Sequence, residues 1–486
     1  MNIRQMFGWR SMITHIVAIA TSLVITACST SAPALYGGRR GKSVRHNDSN
    51  YKLAAIEFGE FGSYSDSTLN ELSRAVDLIA ATPRPLVVAY IHGWHNDITS
   101  GDVERFSNFL SRLHHAREVI TNRLNVVGVY FAWPGESLRI PIVNTFTFWN
   151  RKTAAERIAN NADCLDAIEQ ISQAARRHSE NYVFLMGHSF GGLILERAVA
   201  HTMRTLQGKT NVRPPWDLAL MLNPASDSVL ARELVSGLDG LYTYKSGIGF
   251  VPNYGGPTIP ENQPTIVELQ SDNDQATGLT FPIGLDLGAF FDGHWAWNRV
   301  GIPGTSPDAG LGPVSEKKFY LATPGNSRYL VNYAIVEVPK RAPSTDLDAF
   351  DFNLQNNPID RVFWTSAPKN SESAATAVGK GAGPPQEAKS EWRAWQIRYA
   401  GDVNPSHYGG NARVPFWIVR VPSQIIDNHG GIWSDNNMAL MGAIFRLHRP
   451  IVSRQITVGG KKKVEKVVPT PAKSYVLPSA PPSRRY

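Results

Sequence analysis

The chain has 486 residues, of which 42% are apolar, 10% aromatic and 19% charged. This composition supports a large buried core and excludes a wholly disordered chain, a coiled coil and a collagen-like fibre. The formal net charge of +8 suggests at first sight an anionic partner, and two cysteines are too few for a disulfide-stapled scaffold or a zinc site built from several thiolates.

The N-terminal segment has the features of a secretion signal. Arg4 and Arg10 precede an apolar run at 16–26, which is too short to span a bilayer as a mature helix but suits the core of a signal peptide. Two residues later comes Cys28, in a sequence Ile-Thr-Ala-Cys that resembles the bacterial lipobox. The resemblance implies that Cys28 is lipidated, and Ser29 after it implies the outer membrane. The alternative is an ordinary signal peptide with a chance cysteine.

From residue 51 the chain has the pattern of a folded domain. Short apolar runs bounded by turn residues are typical of buried parallel strands, and they lie at 86–91, 126–132, 182–186, 218–222 and 265–269. Residues 154–175 and 192–206 place aliphatic side chains at spacings near three, four and seven, which indicates amphipathic helices. Strands that alternate with helices predict βαβ units and an α/β fold with a mainly parallel, doubly wound sheet.

The alternation of strands and helices decays after about residue 275. Residues 329–338 are typical of an isolated strand, and residues 415–421 are typical of a last one. The segment 365–390 is dominated by Ser, Ala, Gly, Pro, Lys and Glu, which predicts a disordered loop. Beyond residue 450 the chain is rich in Lys, Pro and Ser, and a mobile tail is expected there.

The sequence Gly-His-Ser-Phe-Gly-Gly at 187–192 carries the clearest functional signal. It follows an apolar run directly and opens the predicted helix 192–206, so that Ser189 lies in a tight turn between them. Glycines avoid Cβ clashes in such a turn, and a helix N-terminus favours a developing anion. This strand, motif and helix resemble the α/β-hydrolase superfamily, over roughly residues 80–300 and 413–445. The alternative is a glycine-rich turn with a solvated serine.

The resemblance implies that a catalytic acid and then a histidine follow Ser189 in the chain. The acid belongs just after the predicted strand 265–269, where both Asp272 and Asp274 are candidates. The family's usual position favours Asp274, with Asp272 as the alternative acid. The histidine belongs on the loop after the last strand, which implies His429. Either aspartate also suits a turn, and His429 also suits a capping or loop-packing role.

In this interpretation His429 takes the proton of the Ser189 hydroxyl, and Asp274 holds the imidazole tautomer and stabilises the imidazolium. The resemblance also implies an oxyanion hole, in which the backbone N–H groups of Phe190 and Trp94 bind the negative oxygen of the tetrahedral intermediate. We therefore expect catalysis of acyl transfer by a serine nucleophile.

Two other chemistries are less consistent with the sequence. His92 and His95 have the side chains of metal ligands, but no third ligand follows at a recognisable spacing, so no metal is predicted. Phosphate-loop and dinucleotide-binding glycine patterns are absent from the sequence, so no cofactor is predicted. Cys164 lies in a predicted helix, where packing is a better explanation than nucleophilic catalysis.

The sequence predicts six parts along the chain. They are a signal peptide at 1–27, a flexible tether at 28–50, the first part of a hydrolase core at 51–280, an insertion at 281–412, the last part of the core at 413–450 and a basic disordered tail at 451–486. The insertion is expected to cover the active site as a lid, because long loops often carry specificity. Four of its aromatic residues either line an acyl pocket or pack the lid onto the core: Phe290, Phe291, Trp295 and Trp297.

The distribution of charge argues against nucleic acid as the partner. Residues 1–27 carry two arginines and no acid, and residues 451–486 carry a net charge of +7, which leaves −1 for residues 28–450. The predicted catalytic body is therefore close to neutral.

The sequence as a whole predicts a membrane-anchored serine hydrolase that acts on carboxylic esters or lipids. A thioesterase, an acyltransferase or a peptidase would use the same residues, and the oligomeric state is not predicted. The alternative from another class is a non-catalytic envelope lipoprotein that binds a protein or the cell wall on a hydrolase scaffold.

Overall fold

The computed structural model describes residues 47–48, 50–116, 119, 122–135, 144–178, 180–207, 209, 214–255, 258–282, 285, 297–303, 313–339, 362–366, 392–404, 414–448, 454–458 and 461–465. The strands of its central sheet are β1 (Asn47–Asp48), β2 (Tyr51–Glu57), β3 (Pro85–Ile91), β4 (Asn125–Ala132), β5 (Tyr182–His188), β6 (Leu218–Leu222), β9 (Ile266–Ser271), β12 (Tyr333–Val338), β13 (Val362–Ser366), β14 (Trp392–Tyr399) and β15 (Phe416–Val421). Six shorter or separate strands pair outside this sheet: β7 (Tyr242–Lys245), β8 (Gly249–Pro252), β10 (Arg299–Val300), β11 (Val314–Ser315), β16 (Arg454–Val458) and β17 (Lys461–Glu465).

The order of strands across the central sheet is β1-β2-β4-β3-β5-β6-β9-β15-β12-β14-β13. Every neighbouring pair from β2 to β12 is parallel, whereas β1, β14 and β13 pair in the antiparallel direction. Parallel strands need crossover connections, and helices supply them here. The α/β fold class with a mainly parallel, doubly wound sheet is therefore confirmed.

The helices cover both faces of this sheet. They are α1 (Asp66–Ala80), α2 (Gly101–His115), α3 (Asn144–Asn160), α4 (Ala162–Arg176), α5 (Phe190–Leu206), α6 (Ser228–Leu241), α7 (Lys317–Tyr320), α8 (Ala400–Val403) and α9 (Asp435–Leu447). Buried side chains of α1, α4, α5 and α6 form one hydrophobic core, and those of α2 and α9 form the other. Successive strand residues point to opposite faces, so Val87 and Ala89 of β3 enter the first core while Val88 and Tyr90 enter the second.

The described part of the predicted insertion extends the sheet at one edge. β12 lies beside β15, and β14 and β13 follow it as antiparallel strands. In β14, Trp395 and Ile397 are buried while Gln396 and Arg398 are more exposed, which is the alternation of a sheet with one wet face. The prediction that the insertion covers the active site is not confirmed by these residues, because their strands lie in the plane of the sheet.

Several predictions concern residues outside the described ranges. They include the signal peptide with Cys28, nearly all of the tether, most of the segment 365–390, and Phe290, Phe291 and Trp295. Within the segment predicted as a tail, β16 and β17 pair as a two-stranded antiparallel sheet. Over the residues that the structure describes, no helix combines the length and the apolar character needed to cross a membrane.

Candidate active site

Three strands of the central sheet deliver the predicted triad to one place. Ser189 follows β5, Asp274 follows β9 and His429 follows β15, and the carboxyl ends of parallel strands share one edge of the sheet. The Oγ atom of Ser189 lies 2.8 Å from Nε2 of His429, and Nδ1 of His429 lies 2.8 Å from Oδ2 of Asp274. A carboxylate only accepts hydrogen bonds, so Nδ1 carries the proton and Nε2 is free to accept the proton of the serine hydroxyl.

The backbone at Ser189 has the strained geometry of a sharp turn between strand and helix. Its φ of +56° and ψ of −121° lie in a region that residues with a Cβ seldom occupy. The turn is held because the N–H of Ser189 donates to the carbonyl of Leu222 at 3.1 Å, while its own carbonyl accepts from Ala225 at 3.0 Å. Gly191 is required by space: a Cβ there would lie 2.1 Å from the carbonyl oxygen of Ile91.

The environment of Asp274 keeps it ionised and correctly oriented. Its Oδ2 also accepts from Nε2 of Gln270 at 2.9 Å, and its Oδ1 accepts from the backbone N–H groups of Ala276 and Thr277 at 3.0 and 3.1 Å. Burial acts to raise the pKa of Asp274, but the hydrogen bond and the charge of His429 and the bonds from Thr277 outweigh it, so the pKa is lowered. The carboxylate is thus prepared to stabilise a positive imidazolium.

The alternative acid lies elsewhere on the same loop. Asp272 is exposed, its N–H donates to the carbonyl of Val421 at 2.9 Å, and its carbonyl accepts from Arg420 at 3.4 Å. The structure therefore brings Asp274, rather than Asp272, to the imidazole of His429. The residue between the two aspartates, Asn273, binds the histidine loop, because its Oδ1 accepts from the N–H of Asn428 at 2.7 Å.

Residues 323–326 of the insertion bind the residues that hold Asp274. Thr323 Oγ1 donates to Oε1 of Gln270 at 3.2 Å, and Nδ2 of Asn326 donates to Oγ1 of Thr277 at 3.3 Å. The guanidinium of Arg420 binds the Oδ1 atom of Asn326 at 2.7 Å and the carbonyl of Gly325 at 3.1 Å. These bonds connect residues 323–326 to the two side chains that contact Asp274.

The loop after β3 lies against the serine, where the oxyanion hole is predicted. A Cβ on Gly93 would lie 2.7 Å from the Cβ of Ser189, so this backbone passes very close to the serine. The next residue is Trp94, and its ring centroid is 6.5 Å from that of Phe190, the first residue of α5. Both residues predicted as oxyanion donors therefore lie on segments that adjoin Ser189.

His92 anchors this loop through both of its ring nitrogens. Nδ1 donates to the carbonyl of Gly93 at 2.9 Å, and Nε2 accepts from the backbone N–H of Trp133 at 3.1 Å. The indole of Trp133 donates back to the carbonyl of His92 at 2.8 Å, and the two rings stack. Burial lowers the pKa of His92, so the ring is neutral. Its two nitrogens thus act within the protein rather than as metal ligands.

Other predicted candidates have packing roles. Cys164 is buried in α4, and burial raises the pKa of its thiol to about 12, which makes a reactive thiolate unfavourable. Trp297 packs against Tyr320 of α7, with the ring centroids 5.1 Å apart. Within the described ranges, no group of three or more His, Cys, Asp or Glu residues is placed to hold a metal ion.

Two carboxyl groups that were not predicted from the sequence are buried close to each other. Glu196 on α5 and Glu268 on β9 are both fully buried, and Oε1 of Glu268 accepts from the N–H of Gly325 at 3.0 Å. Burial raises the pKa of Glu196 to about 8, and burial together with the nearby Glu196 raises that of Glu268 well above its usual value. Glu268 interrupts the apolar run Thr-Ile-Val-Glu-Leu, which was a visible signal of an unusual buried group.

The polar residues around the predicted triad were likewise not predicted from the sequence. Gln270 and Asn223 come directly after apolar runs, at the carboxyl ends of strands, and that position was a signal available in the sequence. His188 lies inside the motif itself, directly before Ser189. All three are buried and hydrogen-bonded to triad residues.

Comparison with known proteins adds little to this geometry. No protein-family model and no curated protein matches the chain. A solved structure that it resembles weakly is that of LpqC, a poly(3-hydroxybutyrate) depolymerase from Bordetella parapertussis, with 17% sequence identity and a TM-score of 0.19. The match covers 40% of this chain and 59% of the depolymerase chain. At this level of similarity, the arrangement of Ser189, His429 and Asp274 is the observation that bears on function.

Proposed function

We propose that this protein is a serine hydrolase that cleaves carboxylic esters through an acyl-enzyme intermediate. The observation that carries the proposal is the continuous hydrogen-bonded series from Ser189 through His429 to Asp274, with both distances at 2.8 Å. A serine hydroxyl is a weak nucleophile at neutral pH and becomes effective when a base accepts its proton. The arrangement provides such a base and a carboxylate that orients it.

The first half of the reaction forms a covalent ester on the enzyme. Oγ of Ser189 attacks the carbonyl carbon of the substrate while Nε2 of His429 takes the hydroxyl proton. Asp274, which accepts the Nδ1–H, stabilises the imidazolium that forms. His429 then donates its proton to the leaving alcohol oxygen, the C–O bond breaks, and the acyl group stays on Ser189.

The second half regenerates the enzyme. A water molecule takes the place of the alcohol, and His429 accepts a proton from it as the water oxygen attacks the acyl carbon. The tetrahedral intermediate collapses, the bond to Oγ of Ser189 breaks, and His429 returns the proton to the serine. The products are a carboxylic acid and a free active site.

The negative oxygen of each tetrahedral intermediate requires hydrogen-bond donors. We assign this role to the backbone N–H groups of Phe190 and Trp94, which belong to the two segments that adjoin Ser189. The N-terminus of α5 adds the positive end of its dipole at the same point. Donors of this kind typically contribute about 10²–10³-fold in rate each.

We also propose that the mature chain is anchored in the cell envelope through a lipid on Cys28. The basic start, the short apolar run and the lipobox-like sequence support this assignment. Separately, the near-neutral charge of residues 28–450 is consistent with an uncharged ester substrate. Expression with radiolabelled palmitate tests the anchor. We expect label and membrane association in the full chain and loss of both in Cys28→Ser; a labelled Cys28→Ser chain would contradict the assignment.

The hydrolase proposal is tested with a series of p-nitrophenyl acyl esters of increasing chain length. We expect turnover by the full chain and a loss of at least about 10³-fold in Ser189→Ala. A fluorophosphonate probe should label the wild-type chain at Ser189 and leave the variant unlabelled. Equal hydrolysis by both chains, or an unlabelled Ser189, would refute the proposal and favour a binding role. A parallel panel of acyl thioesters and peptides identifies the acyl donor.

A further inference from the structure

The backbone of His429 is held by two side chains outside the triad. Its carbonyl oxygen accepts from Nε2 of His188 at 3.0 Å and from Nδ2 of Asn223 at 3.0 Å. The same Nδ2 also lies 3.1 Å from the carbonyl of Asn428. The position of a side chain depends on the position of its own backbone, so these two bonds help to fix where the imidazole ring of His429 lies.

Asn223 connects the histidine loop to the strand that carries the acid. It follows β6 directly, is fully buried and has a φ of +44°. Its Oδ1 accepts from the backbone N–H of Ser271 at 2.8 Å, which fixes the orientation of the amide and leaves Nδ2 to face the histidine loop. Ser271 ends β9, just before the acid loop, so Asn223 sets the position of His429 relative to the strand of Asp274.

His188 connects the same carbonyl to the nucleophile. It is the residue before Ser189, it is 8% exposed, and its ring centroid is 5.1 Å from that of His429. A carbonyl only accepts, so Nε2 of His188 must carry a proton. Burial, followed by the nearby His429, lowers the pKa of His188 to about 4, and the ring is therefore a neutral donor at the pH where the triad would work.

The histidine loop needs such restraint because its backbone is strained. Asn428, immediately before His429, has a φ of +53°, and its Oδ1 accepts from the N–H of Gly430 at 3.0 Å. Residues other than glycine occupy this region at a cost of about 1–3 kcal/mol unless their surroundings hold them there. Bonds to its carbonyl and to that of His429 supply that restraint.

We infer that His188 and Asn223 are positioning residues, a clamp on the carbonyl of His429 that places its imidazole between Ser189 and Asp274. The inference rests on the proposed function for its catalytic consequence. His188 ends β5, the strand that precedes Ser189. Asn223 follows β6 and is bonded to Ser271 at the end of β9, the strand that precedes Asp274. The base is thereby aligned with both of its partners at once.

The test uses isosteric replacements in the full chain. His188→Leu removes the donor and keeps most of the volume, whereas His188→Gln keeps an N–H donor at a similar distance from the backbone. Asn223→Asp keeps the acceptor for Ser271 and places a carboxylate oxygen against the carbonyl of His429. The matched control is Asn332→Asp, because the buried Asn332 likewise donates to a backbone carbonyl, that of Phe416 at 2.8 Å, but at the start of β15.

We expect kcat for a p-nitrophenyl ester to fall about 10²-fold in Asn223→Asp and about 10-fold or more in His188→Leu, since a displacement near 1 Å has effects of this size. KM should stay within about threefold, and His188→Gln should recover kcat to within about threefold of wild type. Asn332→Asp should lower Tm and leave kcat within about threefold. A kcat that is unchanged in Asn223→Asp, a His188→Gln as impaired as His188→Leu, or a control as impaired as Asn223→Asp would overturn the clamp.

A second measurement separates this inference from the hydrolase proposal. The Nδ1–H proton of His429, bonded to Asp274, gives a downfield NMR signal in chains labelled with ¹⁵N-histidine, whether or not any ester is hydrolysed. We expect the signal in the wild type, in Ser189→Ala and in His188→Gln, and its loss in His188→Leu and Asn223→Asp. If no variant changes this signal, the clamp is refuted. If the signal behaves as expected but no ester is cleaved, only the hydrolase proposal fails.

Discussion

The close approach of Gly93 to Ser189 gives the most direct test of the proposed site. In Gly93→Ala the new Cβ would lie 2.7 Å from the Cβ of Ser189, 2.9 Å from the carbonyl oxygen of His188 and 3.0 Å from Nδ1 of that ring. The φ of Gly93 is not in the left-handed region, so space alone decides the effect. The added methyl group would clash with these three atoms, so the loop that carries Gly93 has to move away from Ser189.

The size of the effect follows from these distances. An ordinary contact between two such carbons begins at 3.4 Å and extends to 4 Å, so the separation must grow by about 1 Å. A misplacement of this size between a nucleophile and its base or oxyanion donors costs about 10²-fold in rate. This factor corresponds to about 3 kcal/mol of lost transition-state stabilisation.

The assay is kcat/KM for a p-nitrophenyl ester, measured beside Tm to separate catalysis from folding. The matched control is Gly101→Ala at the first residue of α2, where an added Cβ meets nothing within 4 Å. We expect the control to keep wild-type activity and Gly93→Ala to lose about 10²-fold with a change in Tm of only a few degrees. A Gly93→Ala chain with more than about a third of wild-type kcat/KM would refute the reasoning.

Three further predictions follow from the site and its surroundings. Asp274→Asn should lower kcat by about 10⁴-fold while Asp272→Asn stays within about threefold, and the reverse order in ester assays would move the acid to Asp272. The pKa of Glu196 is about 8 in the folded chain against 4.5 unfolded, so its contribution to stability is complete below pH 4.5 and is lost as the pH rises through about 8. Urea unfolding should therefore show Glu196→Gln to be more stable than wild type at pH 9; equal stabilities would contradict this. Iodoacetamide should modify Cys164 in urea and leave it unmodified in the folded chain, as peptide mass spectrometry can show.

The strands, and the turn that holds Ser189, were predictable because their signals are local. The apolar run at 182–186 lies in strand β5 (Tyr182–His188), and the run at 218–222 coincides with strand β6 (Leu218–Leu222). Both were visible in the sequence because a strand that is buried on both faces is apolar at nearly every position. The choice of Asp274 over Asp272 came from the resemblance to a family, and the structure places Asp274 at the imidazole because the turn after β9 directs Asp272 outwards.

The supporting residues were not predictable because their roles depend on distant contacts. Asn223 binds the carbonyl of His429 across 206 positions of sequence, and Trp433 donates to Asp102 across 331. The edge strands β12 to β14 were not predicted as parts of the sheet, and the run at 329–338 was predicted only as an isolated strand, because pairing across a long insertion leaves no periodic signal. Glu196 has no local signature either, since its helix pattern tolerates a polar residue.

The contact between the insertion and the acid has a consequence for how this protein can change. Residues 323–326 hold Gln270 and Thr277, which in turn hold Asp274. The insertion therefore cannot be exchanged for another segment without changing the contacts that hold Asp274. Replacing residues 281–412 by a foreign segment removes Thr323 and Asn326, which bind Gln270 and Thr277. For the hydrolase that we propose, changes in the insertion are therefore expected to alter turnover as well as substrate range.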